Sequence, residues 1–595
     1  MFLQTCVSWY CTDFTASSPS MPPLHVVIVG GSVSGCAAAD RLAALLPASA
    51  LAITLLEAAP RLGGRTLSVP LASAPGTTMD LGGQWIGTHQ SAALQVVRDL
   101  GLALHAQHHA GKRVLHLQGQ PVRTYTGLIP NASWAVLLDA QATLAVLALL
   151  RLLLWLAPGS ALARWADAVS VAALSARVTW TAGARALVRI VVQGLFGAEP
   201  EDVSLNSFCR YVTASGGVEP MTEVGPGTLQ CWTVVGGTQQ LSAGLLARAG
   251  AARVATRTGH RVLSIRHRAP GSGGGAPPVT LTCDTGAEFA CDYVILALPP
   301  PLAARIAFSP ALDSARAALM AGARMGSIIK SIAVYESAFW REEGFSGEAI
   351  AETSESSAAP VFNTFDNCLP PREGAATATP ASGPNAGIAL CADSGGSGSA
   401  GRRVPALVLF INGARAVEWS ARPAEERKEV VLQQLARWFG PRALYPVEYL
   451  EKDWVSDAFT AGCPIASYPA ALLTEYGLQR ALAEPCWPAE ACSSACRLHW
   501  AGTECALEGT GFIDGAIRAG QTAGEGVARA ISSQRAAAAG GGGEAGGSGG
   551  GAALLHPPPG AAAAAAAAAA AQQQQQRQLA QGLAGSKREQ LDSLL

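Results

Sequence analysis

Two groups of residues in this chain are placed to do chemistry. The first is Gly30, Ser32, Ser34 and Gly35, at the junction of HVVIVGG and SVSGCAAADRLAALL, followed by Glu57 at the end of LAITLLE. Glycines after a strand let backbone approach a pyrophosphate, and an acid about 20 residues further on accepts hydrogen bonds from ribose hydroxyls. The second is Lys330, in the otherwise apolar run GSIIKSIAVY. An ammonium in such a run is unfavourable unless it is paired or functional. A lysine on an edge strand facing solvent is the alternative.

The elements that must position the first group are legible around it. HVVIVGG reads as a short β-branched strand, SVSGCAAADRLAALL as a helix and LAITLLE as a second strand, together a βαβ unit. Gly30 permits the tight turn and Gly35 lets helix and strand approach closely. The helix N-terminus then offers N–H groups and the positive end of its dipole to a phosphate. Ser32 stands where the middle glycine usually falls; its Cβ crowds the pyrophosphate and its hydroxyl partly compensates. The unit alone does not separate NAD from FAD, although Glu57 argues against a ribose 2′-phosphate.

Composition bounds the rest. The chain has 595 residues, 49% hydrophobic and 14% charged, enough apolar content for two or more domains with sizeable cores. A net charge of −1 excludes a broad electrostatic grip on nucleic acid. The 14 cysteines are spread widely, as reduced thiols rather than a disulfide framework. Cys486, Cys492 and Cys496 cluster without histidine or a second pair at zinc spacing, so no metal is expected. The N-terminal stretch lacks a basic region and long apolar run, and no compartment is assigned.

Residues 1–23 form an extension, and the folded part ends near Ile531. Residues 532–595, with eleven alanines from Ala561 to Ala571, read as a disordered tail with no C-terminal membrane anchor. Residues 373–403 read as a low-complexity surface insertion, and Gly271 to Pro278 as a hairpin loop. Leu144 to Ala157, LAVLALLRLLLWLA, is the most apolar stretch. A buried helix is the favoured reading. A peripheral membrane-contacting helix is the second, and a spanning helix is disfavoured by Arg151 and by length.

Beyond Glu57 come GGRT (Gly63 to Thr66) and MDLGGQWIG (Met79 to Gly87), then VVGGTQQL, HRVLSI, DYVILALPP, MGSIIKSIAVYESAFW, AGTE and GFIDGAIRAGQTAGEGVA. In that order these motifs strongly resemble the flavin amine oxidases, closest to the monoamine oxidases, over nearly the whole folded region. The resemblance implies an α/β (α+β) two-domain fold. Residues 24–108, 232–310 and 450–531 would form a discontinuous, Rossmann-like FAD-binding domain. Residues 109–231 and 311–449 would form a substrate domain of mixed sheet and helices.

It also implies roles. Arg65 would pair with the FAD pyrophosphate. Gly82, Gly83, Gln84 and Trp85 would pass close to the flavin, and Val262 would contact the adenine end. Gly502, Glu504, Gly511, Phe512 and Ile513 would hold FAD from the last segment, with a helix N-terminus near Gly511 facing the ring. Lys330 would hold a water at the flavin, with Trp454 nearby. Cys463, in TAGCPIASYP, would carry FAD through a thioether; a buried free thiol is the alternative. The two aromatic walls that flank the amine in monoamine oxidases match Pro464 and Phe512, and the glutamine lining that site matches Ala214. The expected activity is FAD-dependent oxidation of a small amine to an imine, oxygen becoming hydrogen peroxide. A polyamine or amino-acid oxidase, or a flavoprotein without turnover, is the alternative. A homodimer is compatible.

Overall fold

A computed structural model of the chain describes residues 22–127, 131–268, 277–353, 359–370, 379–380, 388–391, 403–475, 480–486 and 496–540. The N-terminal extension up to residue 21, Cys492 and the tail from residue 541, including the alanine run, lie outside the described residues.

The βαβ unit forms as its pattern requires. Strand Leu24–Val29, helix Val33–Leu45 and strand Leu51–Leu56 follow one another, and the two strands pair in parallel from Leu24↔Leu51 to Val29↔Leu56. Three further parallel strands extend the sheet: Val254–Arg257 beside Leu51–Leu56, then Tyr293–Leu296 and Leu498–Trp500 on the other side. One sheet is thus assembled from segments far apart in sequence. Val26, Ile28, Leu42, Leu55 and Ile295 are fully buried in its core. Near-continuous apolar strands of this kind belong to a parallel sheet covered on both faces. Helices Val33–Leu45, Gln240–Ala249 and the final helix, through Ile517, Val527 and Ile531, contribute to that core.

A second, seven-stranded sheet has the order Glu448–Asp453, Ile328–Val334, Ala406–Asn412, Asn363–Asp366, Phe345–Ala351, Lys112–His116, Arg123–Tyr125. It is antiparallel except where Phe345–Ala351 runs parallel to Lys112–His116. Lys330 lies on an interior strand of this sheet, paired to Phe410 on one side and Lys452 on the other. The edge-strand alternative therefore fails.

Other sequence expectations meet the structure unevenly. Val262–His267 pairs antiparallel with Val279–Cys283, the hairpin expected around residues 271–278. The stretch 373–403 is not wholly a surface insertion. Ala389–Cys391 pairs in parallel with Ala103–Ala106, and Ile388 is buried, because apolar residues inside the low-complexity stretch complete a neighbouring sheet. The final helix, Ile513–Gly540, continues past Ile531, as its alanines favour.

The favoured reading of the apolar stretch is overturned. It is a 23-residue helix, Trp134–Leu156, that buries only Asp139, Thr143, Leu147 and Leu154. These lie at helical spacing on one narrow stripe, and the rest of the helix is largely exposed. Composition sets how apolar a helix is, but not whether neighbours cover it.

Candidate active site

A cavity of about 770 Å³ opens between the two sheets. At one end stand Gly30, Ser32, Ser34 and Glu57 of the βαβ unit, with His260 and Val262 of the adjoining hairpin. At the other stand Lys330, Phe410 and Phe512.

The first end is built by backbone. A Cβ on Gly30 would lie 2.5 Å from the Ala297 carbonyl oxygen, and one on Gly35 would lie 1.9 Å from the Gly30 oxygen. Gly35 does not line the cavity; it seats the helix against the strand. Ser32 precedes the helix and makes no side-chain capping bond, so first-turn N–H groups remain for a ligand. Ser34 Oγ donates to the Ala501 carbonyl. Glu57 is buried, accepting from the Gly31 N–H at 2.7 Å and the Ala59 N–H at 2.7 Å, and burial raises its pKa. The His260 N–H donates to the Glu57 carbonyl at 2.9 Å, which brings Val262 to the same end. A cradle of close-approaching glycines, a helix N-terminus and a ribose-competent acid fits the adenosine and pyrophosphate of a dinucleotide.

Arg65 connects the two ends. It donates to Glu504 at 2.7 Å and to the Pro464 carbonyl at 2.8 Å. Glu504 itself does not line the cavity; at 1% exposure it stands behind Arg65 and orients the guanidinium. Gly502, Gly511 and Ile513 line the wall beside it, and the helix starts at Ile513, close to the expected Gly511.

At the second end, Lys330 Nζ donates to the Gly82 carbonyl at 2.9 Å and to Gln84 Oε1 at 2.5 Å. It lies 5.3 Å from the Phe410 ring centroid and 5.7 Å from that of Trp85. Burial lowers its pKa to about 7, against the opposing pull of the Asp80 carboxylate. Asp80 sits inside the MDLGGQWIG run but was given no role from sequence. It accepts from the Ser68 hydroxyl at 2.5 Å and the Thr238 N–H at 3.0 Å, and burial raises its pKa. Trp454 is buried and donates to the Leu81 carbonyl at 2.9 Å, bracing the strand that leads to Gly82 and Gly83. The Cys463 N–H donates to the Gly326 carbonyl at 2.9 Å. Burial pushes the Cys463 thiol up to about 11, opposed by the charges of Arg65 and Lys330.

Three features of this end were missed in the sequence. Tyr211 stacks on Phe512, with centroids 5.9 Å apart and planes 16° from parallel. An aromatic pair is thus present although Pro464 occupies the expected wall. Ala214 does not line the cavity; Gln230 does. Ala214 ends helix Leu205–Ala214, and the chain must loop back through Leu229 before a glutamine reaches the wall. Finally, Gln230 Oε1, Asn363 Oδ1 and Asn412 Oδ1 are buried acceptors with no donor among the described residues, and all three residues line the cavity. Asn412 Nδ2 donates to the Gln193 carbonyl at 3.1 Å, which fixes its oxygen as the free group. Alternation along paired strands could have found Asn412, two residues from Phe410, once the pairing was known.

A dinucleotide cradle in a parallel sheet, joined by one continuous cavity to an apolar chamber with a buried lysine, defines an oxidoreductase that covers its redox centre. Residues 33–528 match the family model described as flavin containing amine oxidoreductase. A Mycobacterium tuberculosis protein provisionally named flavin-containing monoamine oxidase AofH is 34% identical over 511 residues, covering 85% of this chain and 97% of that one. The flavin-containing amine oxidase A of Equus caballus is 28% identical over 528 residues, covering 85% of each chain. Among solved structures, cyclohexylamine oxidase from Brevibacterium oxydans IH-35A superimposes with a TM-score of 0.69 at 27% identity, over 85% of this chain and 99% of that one. Putrescine oxidase bound to putrescine gives 0.69 at 25% identity, over 85% and 99%. The chain belongs to the flavin-containing amine oxidoreductase family, and its activity is FAD-dependent amine oxidation.

Proposed function

We propose that the substrate is a small monoamine with an apolar body, and that Cys463 holds the flavin through a thioether. The observation that carries the substrate class is the character of the chamber around Lys330. Leu195, Tyr211, Met221, Leu229, Phe365 and Phe410 line it, with neutral amides between them. Among the described residues, the acids on the cavity wall are Glu57, held by two backbone N–H groups at the cofactor end, and Asp457, paired with Lys452 at 2.6 Å. Neither is left to bind the second ammonium of a polyamine, and Arg65, paired with Glu504, is not left to clamp an amino-acid carboxylate. Such a wall favours the neutral form of the amine. The free oxygens of Gln230, Asn363 and Asn412 are acceptors for its N–H groups.

FAD, when bound, supplies the two-electron acceptor and later passes those electrons to oxygen. The amine R–CH2–NH2 loses two electrons and two protons to become the imine R–CH=NH. Water hydrolyses the imine to aldehyde and ammonia, and oxygen takes two electrons and two protons to become hydrogen peroxide. Lys330, fixed by Gly82 and Gln84, orients a water and can hold or release a proton near neutral pH. Arg65, steadied by Glu504, supplies positive charge to the cofactor's anionic part. Tyr211 and Phe512 form the aromatic boundary of the amine pocket.

The test combines acid precipitation of the purified protein with a panel of amines followed by peroxide release. Yellow colour should stay with the precipitated chain, and Cys463→Ala should release it. Colour released from wild type would reject the thioether and leave the oxidase reading intact. Turnover of diamines in preference to arylalkyl or alkyl monoamines would reject the substrate class.

A further inference from the structure

We propose that the apolar helix Trp134–Leu156 is a membrane-surface contact, lying flat in the headgroup region of an anionic lipid bilayer. Leu138, Leu149, Leu152, Trp155 and Leu156 are 51–68% exposed, more apolar surface than solvent contact alone explains. The helix's only basic residue does not interrupt that face. Arg151 is half-buried, with its guanidinium beside Gly217 of the protein body.

Tryptophan placement points to lipid. Trp134 and Trp180 are each 80% exposed, Trp155 is 66% and Trp165 is 39%; no other tryptophan among the described residues is counted as exposed. The Trp180 backbone N–H donates to the Asp139 carboxylate at 3.0 Å, which ties this segment to the first turns of the helix. Trp155 lies at the far end, and Trp165 follows in the next helix. Tryptophans flanking an apolar face are the composition of an interfacial helix.

Charge agrees. Residues 131–188 contain Arg151, Arg164, Arg177 and Arg185, no lysine and no glutamate; their two acids, Asp139 and Asp167, are both buried. The exposed charges are therefore Arg164, Arg177 and Arg185, complementary to anionic headgroups. The geometry favours lying over spanning. The buried stripe from Asp139 to Leu154 runs most of the helix, packing it lengthwise on helices Ala182–Phe196 and Leu205–Ala214. Those two helices also supply Gly194, Leu195 and Tyr211 to the cavity wall, so the amine pocket would sit one helix layer from the lipid.

The experiment uses the full-length, flavin-loaded protein and vesicles of phosphatidylcholine alone or with about one-third phosphatidylglycerol. Sedimentation with the anionic vesicles is expected, with affinity falling as salt rises. The triple variant Leu149→Ser, Leu152→Ser, Leu156→Ser should lose binding at least tenfold while oxidising a soluble amine at the wild-type rate. Arg164→Gln with Arg177→Gln should weaken binding to anionic vesicles without changing binding to neutral ones. Wild type that binds neither vesicle would overturn the proposal. So would equal binding by the triple variant, or self-association abolished by the triple variant in a protein that ignores vesicles, which would mark the face as a contact between copies.

Discussion

The two ends of the cavity are made in different ways. The cofactor end is a backbone object: what matters at Gly30 and Gly35 is the absence of a Cβ where strand, helix and Ala297 meet. The amine end is a side-chain object, collected from the interior strands of the seven-stranded sheet, from two helices and from the loop around Gln230. The backbone site leaves no room for a Cβ at Gly30 or Gly35, although it accepts Ser32 where the middle glycine usually falls. A side-chain site can lose one wall at Pro464 and show an aromatic pair from Tyr211 and Phe512 instead. The difference teaches where activity can be tuned without losing the cofactor.

Gly35→Val gives the harshest test of that contrast. Its Cβ would meet the Gly30 oxygen at 1.9 Å. Overpacking of this kind costs roughly 1–3 kcal/mol, occasionally more. Purified Gly35→Val should carry little flavin and show a lowered melting temperature. Normal flavin content would break the claim that backbone approach builds this end.

Lys330→Met sharpens the contrast from the other side. Flavin content should stay normal while the reaction of the reduced enzyme with oxygen slows by roughly 10²-fold, the scale of a positioned proton-handling group. Its lowered pKa means the lysine is charged below about pH 7 and neutral above it. Wild type should therefore show a limb near that pH in the oxygen half-reaction, and Lys330→Met should not. A limb that persists in the variant would assign it to another group.

Smaller effects are expected at the amine wall. Tyr211→Leu removes a stacked partner, an interaction of about 0.5–1.5 kcal/mol. It should raise KM by roughly two- to tenfold and leave flavin content and melting temperature near wild type. An equal loss of flavin would mean that Tyr211 serves the cofactor end. Asn412→Leu removes one unpartnered acceptor, and KM should shift a few-fold; because the variant also loses the buried Nδ2 bond to the Gln193 carbonyl, stability should fall by roughly 1–3 kcal/mol.

What sequence alone determined is the part whose physics is local. The turn at Gly30, the helix after it and the acid at Glu57 are dictated by residue types within one βαβ unit, and the structure places them as read. Lys330 was marked by the cost of an ammonium in an apolar strand, and its two acceptors show how that cost is met. Tertiary structure alone decided the rest. Tyr211 met Phe512 and Gln230 replaced Ala214 on the wall because residues far apart in sequence were folded into one chamber. The helix Trp134–Leu156 is apolar enough for a core helix yet is left largely uncovered, because hydrophobicity is a property of the segment and burial a property of its neighbours.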